Sequence, residues 1–81
     1  MFDETEETLR SVIAKNLKVE SDLIEKTSTL ADWGGDSLDF IETVFEIETT
    51  FDISLPELLH WRELDFNTLA QIVKDEIAKK P

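Results

Sequence analysis

Scarce glycine and proline limit the folds open to this 81-residue chain more than any other feature. The chain has only two of each, at Gly34, Gly35, Pro56 and Pro81. A β-sandwich or β-barrel needs many tight turns, and these residues make most of them. The sequence therefore predicts an all-α fold in which a few turns connect helices.

The spacing of apolar residues predicts four helices. Between about residues 3 and 17, and again between about 37 and 51, apolar side chains recur every three or four positions. A short third helix is expected from about 56 to 64, because Pro56 suits a first helical turn. A last helix is expected from about 67 to 78, with Asn67 as its N-cap.

The connection between the first two helices, from about residue 18 to 36, is long for so small a domain. Loops of this length are usually functional or disordered. Disorder fits poorly, because apolar residues recur along the segment and could pin it across the helices. These expected anchors are Val19, Leu23, Ile24, Leu30 and Trp33.

The charge balance restricts the partners. There are 19 acidic and 8 basic side chains, so the formal net charge is −11. Nucleic-acid binding depends on cationic side chains that neutralise phosphates, so basic proteins are the expected partners and nucleic acid is not. No apolar run approaches the roughly 20 residues that span a bilayer, and the first seven residues are acidic where a signal peptide is basic. These features predict a soluble, cytoplasmic, single-domain protein over residues 1–81 with no membrane insertion.

The residues for catalysis are lacking. The chain has no cysteine, which excludes disulfides, thiolate metal sites and a cysteine nucleophile. Its single histidine, His60, has no nucleophile or orienting residue at a recognisable spacing. The acidic residues do not follow the ligand spacing of a calcium-binding loop. We therefore expect neither catalytic residues nor a metal site.

The turn before the second helix is the sharpest local signal. Gly34 and Gly35 permit positive φ and leave space above the backbone, while Asp36 can cap the helix. Ser37 then lies in the first turn, beside unpaired N–H groups that favour a phosphate. Taken alone, the same five residues favour a turn and a helix cap that have no further function.

The residues around this turn resemble the acyl carrier proteins. The resemblance rests on residues 32–39, Asp-Trp-Gly-Gly-Asp-Ser-Leu-Asp, and on the Ile-Glu, Val, Glu-Ile-Glu and Phe-Asp-Ile that follow. It implies a four-helix acyl-carrier-type bundle with a long loop between helices 1 and 2 and a short helix 3. It also implies that Ser37 carries covalent 4′-phosphopantetheine.

Under this resemblance the protein is not an enzyme. It carries acyl intermediates as thioesters and presents them to enzymes of fatty acid, lipid or polyketide biosynthesis. The expected partners are a phosphopantetheinyl transferase and acyl-loading, synthase and acyltransferase enzymes with basic docking patches. A free-standing, monomeric and specialised carrier is expected.

The second helix has apolar residues on two faces. Phe40, Val44, Ile47 and Phe51 can face the core, while a second apolar strip is flanked by acids. Such a surface suits docking of basic enzymes. The predicted partner-binding residues are Asp36, Leu38, Asp39, Ile41, Glu42, Phe45, Glu46 and Glu48.

Some positions depart from the pattern of the family. Trp33 stands where the family most often has leucine, and Thr43 stands where it usually has a large apolar residue. The Gly34-Gly35 pair is similar to that of peptidyl and D-alanyl carriers. Thr43 suggests an altered pocket. Two alternatives therefore stay open: a peptidyl or aminoacyl carrier, and an unmodified acidic helical adaptor in which Ser37 serves only as a helix cap.

Overall fold

A computed structural model describes residues 1–57 and 61–80 of the chain. These residues form three α-helices: α1 (Glu4–Leu17), α2 (Ser37–Phe51) and α3 (Phe66–Ala78). Each begins within one residue of its predicted start and ends where predicted. The described residues contain no β-strand, and their only strand-like pairing is an isolated bridge between Thr29 and Asp65. The all-α class is confirmed.

The short helix predicted over residues 56–64 is not confirmed. Leu58, Leu59 and His60 lie outside the described residues. The expectation that His60 has no catalytic partner therefore stays a prediction. Of the described positions, Pro56 and Glu57 belong to no regular element, and residues 61–63 form a turn. The part of the chain that is described therefore supports three helices rather than a count of four.

An aspartate begins each of the three helices. At α1, the Asp3 carboxylate accepts the Glu6 N–H at 2.8 Å, and the Glu6 carboxylate accepts the Asp3 N–H at 2.9 Å. This reciprocal capping box pairs two backbone donors that a helix end otherwise leaves free. Asp3 is thus the cap of α1 rather than a member of its first turn.

The prediction of Asn67 as the cap of the last helix is wrong. The cap is Asp65, whose carboxylate accepts the Thr68 N–H at 2.8 Å. Asn67 is already the second residue of the helix. Its N–H donates to the Lys26 carbonyl at 2.9 Å, and the Phe66 N–H donates to the Ser28 carbonyl at 2.8 Å. These two bonds to the long loop set the start of α3, and local sequence preference does not reveal them.

The core lies where α1 meets α2 and α3. Burial of each large apolar side chain contributes about 1.5–3 kcal/mol relative to exposure. The largest fully buried side chains come from all three helices and from the long loop: Leu9, Ile13, Ile24, Ile47, Phe66 and Val73. One contiguous cluster therefore connects the elements.

The long loop follows the core closely. Ile24 and Leu30 are buried, and Val19 and Trp33 are half-buried, as expected of anchors. Leu23 is not an anchor, because 62% of its surface is exposed. It ends a short 3₁₀ turn, and the next residue, Ile24, takes the place in the core.

A buried carboxylate joins α1, the loop and α3. Glu6 is only 5% exposed, and its Oε2 lies 3.9 Å from the Nζ atoms of both Lys26 and Lys74. Lys74 also pairs with Asp3 at 2.6 Å. Lys74 therefore links α3 to the start of α1.

The Asp3–Lys74 pair makes stability depend on pH. The hydrogen bond from Lys74, followed by that from the Glu6 N–H, lowers the pKa of Asp3 below its ordinary 3.8, and the same pair raises the pKa of Lys74 above 10.5. Stability from Asp3 is therefore present above pH 3.8 and lost as pH falls through its lowered pKa. Stability from Lys74 is present below pH 10.5 and lost as pH rises through its raised pKa.

We expect Lys74→Met to lower the free energy of unfolding near pH 7 and to lose this effect in acid, once Asp3 is protonated. Urea denaturation at pH 7 and near pH 2 measures both values. Lys79→Met is the matched control and should change little. Lys79, the C-cap of α3, pairs with the nearby Glu76 at 3.0 Å and with no other acid among the described residues. If Lys74→Met lowered the free energy of unfolding by the same amount at both pH values, the account would be contradicted.

Candidate functional site

Two glycines shape the turn before α2 for different reasons. Gly34 ends a 3₁₀ turn (Ala31–Trp33) at φ +75°, a left-handed conformation that side chains disfavour. Gly35 has no positive φ, but a Cβ there would lie 2.8 Å from Leu30 Cδ1 and 3.0 Å from Leu17 Cδ2. The first glycine permits the turn, and the second permits close packing.

The turn delivers the chain to a firmly capped helix. Asp36 is the N-cap: its carboxylate accepts the Asp39 N–H at 2.9 Å, and the Asp39 carboxylate accepts the Asp36 N–H at 3.2 Å. The predicted capping role of Asp36 is confirmed. The N–H groups of Ser37 and Leu38, at the first two helical positions, have no acceptor within the helix.

The surroundings of Ser37 fit a covalently attached phosphate ester. The residue is exposed, and its hydroxyl takes part in no hydrogen bond with the residues that the structure describes. Apart from Gly34 itself and its two neighbours in the chain, no atom of the described residues lies within 4 Å of the position that a Cβ at Gly34 would occupy. Two unpaired N–H groups and the positive end of the helix dipole favour the anion.

The outward face of α2 carries exposed apolar side chains. Leu38 is 62% exposed, Ile41 48% and Phe45 65%, and the exposed Glu42 shares their face at helical spacing. Single exposed apolar residues need no explanation, but a contiguous patch with a charged rim marks an interaction surface. The predicted separation of outer and inner faces is therefore confirmed.

Of the eight residues predicted to bind partners, some already form hydrogen bonds within the protein. Asp36 and Asp39 form the capping box, and Glu48 accepts the Leu55 N–H at 2.8 Å. Glu46 accepts hydrogen bonds from Lys15 at 3.1 Å and Asn16 at 3.3 Å, which lower its pKa. All four acids have structural roles, and the sequence pattern revealed only that of Asp36.

The inward face of α2 borders a small cavity. Thr43 and Ile47 are buried, and Phe40 stacks on Trp61 with ring centroids 4.8 Å apart and planes 14° apart. The cavity has a volume of about 20 Å³, close to the space one water molecule needs. Its lining residues are Ile13, Leu30, Trp33, Phe40, Thr43, Val44, Ile47, Trp61, Leu64, Phe66 and Leu69.

Comparison with known proteins decides the family. Residues 7–75 match the family described as "Phosphopantetheine attachment site". An acyl carrier protein of Zymomonas mobilis is 38% identical over 57 residues, which are 69% of this chain and 73% of that protein. The chain belongs to the acyl carrier protein family. An acyl carrier protein of Akkermansia muciniphila is 43% identical over 53 residues, 64% of this chain and 66% of that protein.

Membership of this family gives the protein its general role. An acyl carrier protein is a carrier rather than an enzyme, and phosphopantetheine is attached to it covalently. Within residues 1–57 and 61–80, no helix is long and apolar enough to cross a membrane.

Two structural features near the turn before α2 could not be predicted from the sequence. The Thr43 side chain is 4% exposed, and its hydroxyl donates to the Asp39 carbonyl at 2.7 Å. The Nε1 atom of Trp33 is buried. Both residues stand out as departures from the family pattern, which is the one signal in the sequence that draws attention to them.

We expect Gly34→Ala to destabilise the carrier by about 1–2 kcal/mol, because the left-handed conformation costs a side chain about that much. Gly34→Asn should cost less, since asparagine tolerates this conformation better. Urea denaturation of the two variants checks the order. Equal stability of Gly34→Ala and wild type would show that the turn does not require positive φ.

Proposed function

We propose that Ser37 is the residue to which phosphopantetheine is attached, and that the protein carries acyl intermediates of fatty acid, lipid or polyketide biosynthesis as thioesters. The observation that supports this most is the exposed Ser37 hydroxyl at the capped start of α2, within the region that matches the family.

The residues around Ser37 have distinct tasks in this proposal. Asp36 and Asp39 hold the helix start in one conformation, so that the hydroxyl is presented at a constant position. The Ser37 and Leu38 N–H groups donate to the phosphate oxygens, and Gly34 keeps the approach open. When bound, phosphopantetheine supplies the thiol on which an acyl thioester forms, a group that this cysteine-free chain lacks.

The outward face of α2 is the proposed docking surface for the modifying and acyl-transferring enzymes. Leu38, Ile41 and Phe45 are apolar anchors that lose water on binding, and such anchors supply most of the affinity of an interface. Glu42 and the overall charge of −11 attract basic patches and speed encounter. Lys15 and Asn16 leave Glu46 less available for this task.

We expect Ser37→Ala to abolish modification of the protein. The variant, incubated with coenzyme A and a broad-specificity phosphopantetheinyl transferase, should keep its mass, whereas the wild type should gain one prosthetic group. Ser54→Ala is the matched control, because Ser54 is also exposed, and it should be modified normally. Modification of the Ser37→Ala variant would show that Ser37 is not the attachment residue. A wild-type protein that functions without being modified would favour the alternative of an unmodified acidic helical adaptor.

We expect Phe45→Ala and Glu42→Lys to weaken recognition by the transferase without loss of the fold. Both side chains are exposed, so the Tm should change little. Phe45→Ala should lower kcat/KM roughly tenfold, the effect of about 1.4 kcal/mol. The defect of Glu42→Lys should shrink as salt is added, because salt screens charge.

Glu20→Lys provides the matched charge control for this experiment. Glu20 is an exposed loop residue with no capping hydrogen bond from its side chain. The same charge reversal there should have a smaller effect. Equal effects at positions 20 and 42 would show that net charge matters and that the proposed surface does not.

A further inference from the structure

An open groove between α1 and α2 extends the proposed docking surface to the end of α1. Its lining residues are Asn16, Glu42, Phe45, Glu46, Thr49 and Thr50. Glu42 and Phe45 are also residues of the proposed docking surface. An enzyme that binds these two side chains therefore comes close to the last turn of α1 as well, and the charges there take part in its recognition.

Glu46 lies in this groove one helical turn beyond Glu42, and two residues of α1 hold its carboxylate. The Lys15 Nζ donates to Glu46 Oε2 at 3.1 Å, and the Asn16 Nδ2 donates to Oε1 at 3.3 Å. Asn16 is itself fixed, because it also donates to the Val12 carbonyl at 2.8 Å. Since Asn16 is neutral, it orients the carboxylate, whereas Lys15 neutralises its charge.

The Lys15–Glu46 pair is accessible to a docking enzyme. The Lys15 side chain is 73% exposed and that of Glu46 is 31% exposed. Ion pairs at such exposure are weak, because water screens them, so a cation of a partner can replace Lys15. The hydrogen bond from Lys15, followed by that from Asn16, lowers the pKa of Glu46, and the carboxylate is therefore ionised near pH 7.

Lys15 is a foreign charge on this surface. The α2 helix contains no lysine or arginine, so the cation beside its outward face comes from α1. A basic patch that approaches the groove meets repulsion from Lys15 and a carboxylate that is already paired. Like charges that face each other across an interface disfavour a partner, and such repulsion is a common source of specificity.

We propose that Lys15 competes with the basic side chains of docking enzymes for Glu46, and so makes the carrier selective against enzymes whose docking patch is wholly basic. The groove fits an enzyme that places a cation against Glu42 and an acidic side chain against Lys15. This inference rests on the docking surface described under Proposed function.

Lys15→Met tests the competition. The variant and the wild type are modified by a phosphopantetheinyl transferase with a basic docking patch, and kcat/KM is measured at low and high salt. At low salt we expect kcat/KM to rise about two- to fivefold, the range that the strength of an exposed ion pair allows. The gain should shrink as salt is added. An unchanged or lowered kcat/KM at low salt would overturn the proposal.

Lys79→Met is the matched control for this measurement. The Lys79 side chain is 71% exposed and pairs with Glu76 at 3.0 Å, so the variant loses the same charge and a comparable ion pair. Lys79 follows the end of α3 and does not line the groove. We expect kcat/KM to change little. A gain equal to that of Lys15→Met would show that net charge alone matters, and would overturn the proposal.

Two further measurements test the role of Glu46. First, the gain from Lys15→Met should be smaller in a Glu46→Gln background, because no carboxylate is then released to the enzyme. An equal gain in both backgrounds would show that Lys15 acts by repulsion alone and does not compete for Glu46. Second, NMR titration of the Glu46 carboxyl should show a higher pKa in Lys15→Met than in the wild type. An unchanged pKa would show that the pair does not form in solution.

The Phe45→Ala variant separates failure of this inference from failure of the docking surface. If Phe45→Ala is modified as efficiently as the wild type, the docking surface itself is wrong. If Phe45→Ala is modified poorly and Lys15→Met is modified like the wild type, only the competition by Lys15 is wrong.

Discussion

The burial of one side of α2 in the core that it forms with α1 and α3 is the interaction on which the rest of the site depends. Ile47 is fully buried and Thr43 nearly so. Because side chains on a helix diverge around its axis, this contact turns Leu38, Ile41 and Phe45 outwards. One packing contact thus generates both an inner cavity and an outer apolar surface on the same helix.

The start of α2 combines rigidity with access. The reciprocal bonds of Asp36 and Asp39 hold the first turn, and close packing at Gly35 holds the approach to it. Ser37 nevertheless remains exposed. A fixed backbone with an unobstructed hydroxyl suits the proposed role of Ser37 as an attachment point that is offered to more than one enzyme.

Much of this architecture could be predicted from the sequence, because it follows from local patterns. The spacing of apolar residues revealed three helices, and the Gly-Gly-Asp-Ser turn revealed the cap and the candidate attachment residue. The cap of α3 could not be predicted, since bonds from the distant Lys26 and Ser28 carbonyls decide between Asp65 and Asn67. The structural roles of Glu46 and Lys74 likewise depend on contacts between helices, which periodicity in one helix does not contain.

Locating the added group on the intact wild-type chain tests the central claim most directly. The protein is modified by a phosphopantetheinyl transferase, digested, and its peptides are fragmented in a mass spectrometer. The account predicts a single phosphopantetheine on Ser37, with every other serine and threonine unmodified. A group found on any other residue, or a fully folded wild type that accepts none, would contradict it.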